Sequence, residues 1–163
     1  MVETTNTRHI HQLLSPRTVR VGLPGTSKRE VIDGLIDLLA HRLEPSKLEQ
    51  VREAVHEREQ RMSTGVGKGL ALPHAKTSAV DETIAAFAVT EHPVDFEAID
   101  GRPVRLVFLL VGMGQSGSQH IKLLSRISRL MNREELRERL LKAENAQAVL
   151  QAFRDAEAQL LDF

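Results

Sequence analysis

The stretch "VRLVFLLV", Val104 to Val111, restricts the fold more than any other part of the chain. Apart from Arg105 every position in it is apolar, so a strand built from it has no face for water. A half-exposed strand alternates apolar and polar residues. One that does not alternate belongs inside a sheet covered on both faces. Two further runs read as strands: "TIAAFAV", Thr83 to Val89, and "RTVRVGL", Arg17 to Leu23, where Val19 and Val21 alternate with polar neighbours.

The segments between them have helical periodicity. Ser27 and Glu30 form a capping box, and Val31, Leu35, Leu38 and Leu39 continue it at i, i+4, i+7 and i+8, predicting a helix to about Leu43. Ser46 is the expected cap of a second helix, marked by Leu48, Val51 and Val55 and reaching Arg61. "EHPVDFEAIDGRP" has the composition of a connecting loop with room for one more short strand, and "GMGQSGS" breaks the chain again. From Ser118 the pattern is helical, with Ile121, Leu124, Ile127 and Met131 on one face. Helices then follow at Glu134 to Lys142 and Ala146 to Leu161. The expected fold is an α/β sandwich: a single domain over 9–163 with a mixed central β-sheet flanked by helices, preceded by a flexible N-terminus at 1–8. A length of 163 residues fits one such domain.

Composition removes several function classes. Lys+Arg and Asp+Glu are both 22, and aromatics, all Phe, are 3%, so neither a basic field nor base-stacking platforms point to nucleic acid. No cysteine is present, which excludes disulfides, thiolate metal sites and a cysteine nucleophile. No apolar run reaches the about 18 residues of a membrane span, and the first residues lack a signal-peptide pattern, so the expectation is a cytoplasmic protein without direct membrane insertion.

The chemistry concentrates in "STGVGKGLALPHAK", Ser63 to Lys76. It is not a nucleotide P-loop. Lys68 is followed by Gly69 instead of Ser or Thr, and a helix precedes the loop where a strand is needed. Metal-ligand spacing is equally poor among the seven histidines, so no metal and no cofactor is expected. Anion chemistry fits better. Alternating glycines, among them Gly65, let backbone amides converge, with hydroxyls from Ser63 and Thr64 and a guanidinium from Arg58 just upstream. "LALPH" reads as the end of a strand presenting His74, whose neutral imidazole is a nucleophile. "GQSGSQH" places His120 in the first turn of a helix, where an anion is favoured over a protonated ring. His9, His11, His41, His56 and His92 read as surface residues, and Asp100 as a residue fixing the turn at Gly101.

"REQRMSTGVGKGLALPH" resembles the signature of the type-2 IIA domains of the bacterial phosphoenolpyruvate-dependent sugar phosphotransferase system (PTS), which include fructose- and mannitol-specific IIA domains and nitrogen-regulatory IIA proteins. "HPVDFEAIDGRPVRLVFLLVG" and "QHIKLLSRISRLM" resemble two further segments of that family, and the likeness spans residues 9–155. The resemblance implies a phosphotransferase component with His74 as the residue phosphorylated by the histidine phosphocarrier HPr, His120 as the second active-site histidine and Arg58 beside the phosphate. It further implies phosphate on Nε2, with Nδ1 held by a backbone carbonyl, and transfer onward to a IIB domain or a role in nitrogen regulation. The alternative is a purely regulatory module, whose contacts with a transporter, kinase or transcription regulator depend on phosphorylated His74. Two positions depart from the family pattern: Ala75 stands where Gly is frequent, and Lys68 where Asn is.

Overall fold

The computed structural model describes residues 9–160; the flexible segment expected at 1–8 lies outside them. The sheet has six strands: β1 (Val19–Leu23), β2 (Gly65–Gly67), β3 (Leu70–Ala71), β4 (His74–Thr77), β5 (Ile84–Val94) and β6 (Val104–Met113). Its order is β1-β5-β6-β3-β2, with β4 also on β6. β1 runs parallel to β5, β5 antiparallel to β6, β3 and β4 parallel to β6, and β2 antiparallel to β3, so the sheet is mixed.

The apolar stretch at Val104 is the middle strand β6, as its lack of alternation requires. Its side chains divide between two cores. Leu106, Phe108 and Leu110 face one, with Ala85, Phe87 and Val89 of β5, and Val107, Leu109 and Val111 face the other. The helices α3 (Gly117–Met131), α4 (Glu134–Leu141) and α5 (Ala146–Leu160) cover the first face. There Phe153 meets Phe87 and Phe108 edge-on, with centroids 5.1 and 5.8 Å away. The helices α1 (Lys28–Asp37) and α2 (Pro45–Arg61) cover the second face.

The ends of several elements differ from the sequence expectation. α1 stops at Asp37, where the amides of Leu38 and Leu39 bond back only three residues, and Ala40–Arg42 forms a 3-10 turn. At three residues per turn Leu39 stacks over Ile36, and both are fully buried. Ser27 caps α1 as expected, but Glu30 reaches one residue further back, to the Thr26 amide. α2 begins at Pro45, not after Ser46: proline, with no N–H to satisfy and φ already set, occupies the first helical position. β5 continues through the segment read as a loop, with its register broken between Val89 and Val94; Pro93 sits in that irregularity. On α3 the buried stripe is His120, Leu123, Ile127, Leu130 and Met131, one position earlier than expected at its start, and Ile121 is exposed.

Candidate functional site

β3 and β4 are two halves of one strand. Leu70 lies opposite Leu106 and His74 opposite Leu110, so both halves keep the same register along β6 across the break at Leu72-Pro73. His74 therefore opens the second half, where the sequence reading had it close the first. Proline causes the break: it has no N–H for the ladder, while its carbonyl still accepts from Leu110 N at 3.0 Å. The Leu72 carbonyl is left to take His74 Nδ1, 2.7 Å away. A carbonyl only accepts, so Nδ1 carries the proton and the Nε2 lone pair is free.

His74 lies in a cavity of about 380 Å³ with Ala54, Glu57, Arg58, Arg61, Lys76, His120, Ile121 and Leu124 on its walls. Ala54, Arg58 and Arg61 follow at i, i+4 and i+7 on α2, which puts them on one face. Arg58 donates to the Met62 carbonyl at 3.1 Å. His120 enters from the start of α3, and its ring centroid lies 5.9 Å from that of His74. Its ring rests against Gly112 of β6, where an added Cβ would fall 2.5 Å from His120 Nδ1. His120 is only 5% exposed, and neither ring nitrogen has a hydrogen-bond partner among the described residues.

Both rings stay neutral at physiological pH. Burial pulls the pKa of His120 down to about 4, helped by His74 and Lys76. Burial also lowers the pKa of His74. The Leu72 carbonyl works against that, Arg58 adds to it and Glu59 opposes it. A neutral imidazole with a free Nε2, an unpartnered N–H donor beside it and cations on the rim is an arrangement suited to taking up a phosphoryl group.

The structure thus brings His74, His120 and Arg58 together. Ser63, Thr64 and Gly65 do not line this cavity, and their donors are committed elsewhere. The Ser63 hydroxyl bonds the Phe96 carbonyl, the Gly65 amide bonds Ser63 Oγ at 3.0 Å, and the Thr64 amide bonds Glu59 Oε2 at 2.8 Å. The glycine stretch is not an amide cradle but a β2–β3 hairpin. Lys68 and Gly69 form its two-residue turn with φ of 61° and 78°, the positive pair that a type I′ turn requires. Lys68 Nζ points to Asn132 Oδ1, at 2.5 Å, and Asp100 holds the Lys68 and Arg102 amides. Ala75 sits in extended β4 opposite Val111, buried and without positive φ, so nothing at this position demands glycine. His56 and His11 are not surface residues as expected: His56 bonds Asp33 at 2.8 Å and His11 bonds Glu157 at 2.6 Å. Lys76 was missed by sequence reasoning because its place on the cavity wall depends on β4 continuing past the histidine.

Residues 12–156 match the family model described as "Phosphoenolpyruvate-dependent sugar phosphotransferase system, EIIA 2". The chain is 36% identical over 141 residues to the PTS system fructose-specific EIIABC component of Bacillus subtilis, covering 86% of this chain and 22% of that much longer protein. It is 34% identical over 148 residues to a nitrogen regulatory protein of Pseudomonas aeruginosa, covering 91% of this chain and 96% of that one. The crystal structure of nitrogen regulatory protein IIA-Ntr from Neisseria meningitidis superposes with a TM-score of 0.82 at 29% identity, over 88% of this chain and 98% of that one. The Escherichia coli IIA mannitol chain, solved in complex with phosphorylated IIB mannitol, has the same fold, with a TM-score of 0.72 at 22% identity over 87% of this chain and 97% of that one. Signature, fold and matched length agree: the chain belongs to the phosphoenolpyruvate-dependent sugar phosphotransferase system EIIA 2 family.

Proposed function

We propose that this chain is a phosphohistidine carrier in which His74 Nε2 takes a phosphoryl group from a cytoplasmic HPr-type phosphocarrier. The observation that carries this reading is the Nδ1–H tether to Leu72, which leaves the Nε2 lone pair beside the unpartnered His120 ring. In the transfer Nε2 attacks phosphorus in line, the P–N bond to the donor histidine breaks, and the donor imidazole leaves with that electron pair. The positive charge the His74 ring gains is shared with the Leu72 carbonyl through Nδ1–H. A His120 N–H donates to a phosphoryl oxygen, and Arg58 supplies positive charge, which is the electrostatic work such transfers need. The chain is neutral overall, so attraction of the phosphorylated donor is local, from Arg58, Arg61 and Lys76 against Glu57.

From His74 the phosphoryl group passes to a IIB domain or acts as a regulatory signal; the chemistry up to phospho-His74 is the same for both. Incubation with phosphoenolpyruvate, enzyme I and HPr is expected to give one acid-labile phosphate per chain, and His74→Ala none. Uptake by His74→Ala, or none by the unaltered chain, overturns the reading. Passage of label to a fructose- or mannitol-type IIB identifies the transport route.

A further inference from the structure

Glu59 is buried, 6% exposed, yet absent from the walls of the His74 cavity. It follows Arg58 in sequence, but successive helix positions face different directions, and Glu59 shares the inner face of α2 with Val51 and Val55. Its Oε2 accepts the Thr64 amide at 2.8 Å and its Oε1 the Thr64 hydroxyl at 2.5 Å. Lys28 Nζ of α1, which bonds Glu97 Oε1 at 2.9 Å, also reaches Oε2 at 3.4 Å. The Thr64 carbonyl in turn accepts the Leu72 amide at 3.0 Å, and the Leu72 carbonyl accepts His74 Nδ1–H at 2.7 Å. An unbroken polar path runs from Lys28 to the nucleophile.

We propose that Glu59 is a positioning residue for phosphoryl transfer: by clamping Thr64, whose carbonyl takes the Leu72 N–H, it steadies Leu72 from its N-terminal side, and the Leu72 carbonyl fixes the tautomer and ring orientation of His74, with Lys28 as the outer contact of Glu59. The proposal rests on the reading of His74 as the phosphorylated residue. Leu72 lies between β3 and β4: its N–H is held by the Thr64 carbonyl, and the Pro73 carbonyl just beyond it by Leu110 N of β6. Only a group with two acceptor oxygens takes both Thr64 donors, which is why a carboxylate suits this position better than an amide. A one-ångström drift of a reacting atom costs about a hundredfold in rate, so a loosened Leu72 carbonyl matters.

A purely structural carboxylate would behave differently, and charge separates the two. His74 is faced by Glu57, Arg58 and Arg61 from α2, by His120 from α3 and by Lys76 from its own strand. Behind these, Glu59 favours the protonated His74 ring. Glu59→Gln removes that influence and is expected to lower the His74 pKa. Lys28→Met leaves the Glu59 carboxylate less neutralised and is expected to raise it. General loosening of the fold would move both in the same direction.

The test is nitrogen-15 NMR titration of the His74 ring in the unphosphorylated chain, followed by the initial rate of phosphate uptake from phospho-HPr. In the unaltered chain His74 is expected as the Nδ1–H tautomer. Glu59→Gln is expected to shift it toward a tautomer mixture and slow uptake by about tenfold or more, with Glu59→Asp recovering part of both. Should Glu59→Gln not fold, Thr64→Val, which deletes only the hydroxyl, is expected to shift the tautomer the same way to a smaller extent. An unchanged tautomer in the variant that folds, or pKa shifts of one sign in Glu59→Gln and Lys28→Met, overturns the proposal. The ring readout needs no phosphoryl donor, so it fails or holds separately from the carrier reading, which His74→Ala tests.

Discussion

At position 112 a single methyl group would collide with the His120 ring. A Cβ there would lie 2.5 Å from His120 Nδ1, 3.2 Å from its Cε1 and 3.2 Å from Ser116 Oγ. The ring must move, and its packing 5.9 Å from the His74 ring is disturbed with it. Gly112→Ala is therefore expected to destabilise the fold by about 1–3 kcal/mol through overpacking. It is also expected to slow phosphate uptake on His74 by about ten- to a hundredfold through misplacement. Phosphorylation kinetics alongside the His120 NMR resonance check this; a normal rate with a displaced ring would remove His120 from the mechanism. Gly112 could not be found from the sequence, because nothing in "LLVGMG" says which side chain leans on the glycine. His74, His120 and Arg58 were legible because each lies in a motif long enough to be matched. Glu59 stood in plain view beside Arg58, but its bonds to the Thr64 amide and hydroxyl become visible only once the chain turns out of α2.

Among the elements, the hairpin that carries the three alternating glycines shows how a motif can be recognised and its physics misread. The glycines suggested convergent amides; the structure uses them, with Lys68, to turn β2 into β3. Lys68 holds φ of 61°, a conformation that disfavours most L-residues and that Asn tolerates better. Lys68→Asn is expected to raise stability by about 0.5–1 kcal/mol, read as a higher urea midpoint with an unchanged slope. The bond lost, from Lys68 Nζ to Asn132, is exposed and worth little. A lower midpoint would mean that this bond outweighs the backbone strain. Elsewhere the type of each long element was readable from its periodicity, and β6 most of all. The ends were not: the 3-10 turn after α1, the start of α2 at Pro45 and the extension of β5 past Val89 all depend on what packs there, not on local propensity.

Across the whole molecule, the site lies where the two helix layers meet at one end of the sheet. α2 belongs to the layer over Val107 and Val111, and α3 to the layer over Leu106 and Phe108, and both reach the cavity beside β4. A change of charge there acts on the packing of both layers, and acid supplies one. An unfolded histidine takes a proton near pH 6.5, whereas His120 in the folded chain does so only at about 4. Below pH 6.5 the unfolded state therefore binds more protons, and stability falls as pH falls, with the His120 share fully lost near pH 4. His74 shifts in the same direction and adds to the effect. His120→Asn cannot titrate, so between pH 7 and 4 the unaltered chain is expected to lose on the order of 3 kcal/mol more stability than the variant. Urea denaturation at intervals across that range measures the difference directly. Parallel curves would mean that His120 takes up its proton as readily in the folded chain as in the unfolded one, so that it is cationic below about pH 6.5. A cationic ring would then pair with a phosphoryl oxygen by charge instead of offering a neutral N–H, and phosphate uptake would fall with rising pH where the neutral site predicts no loss.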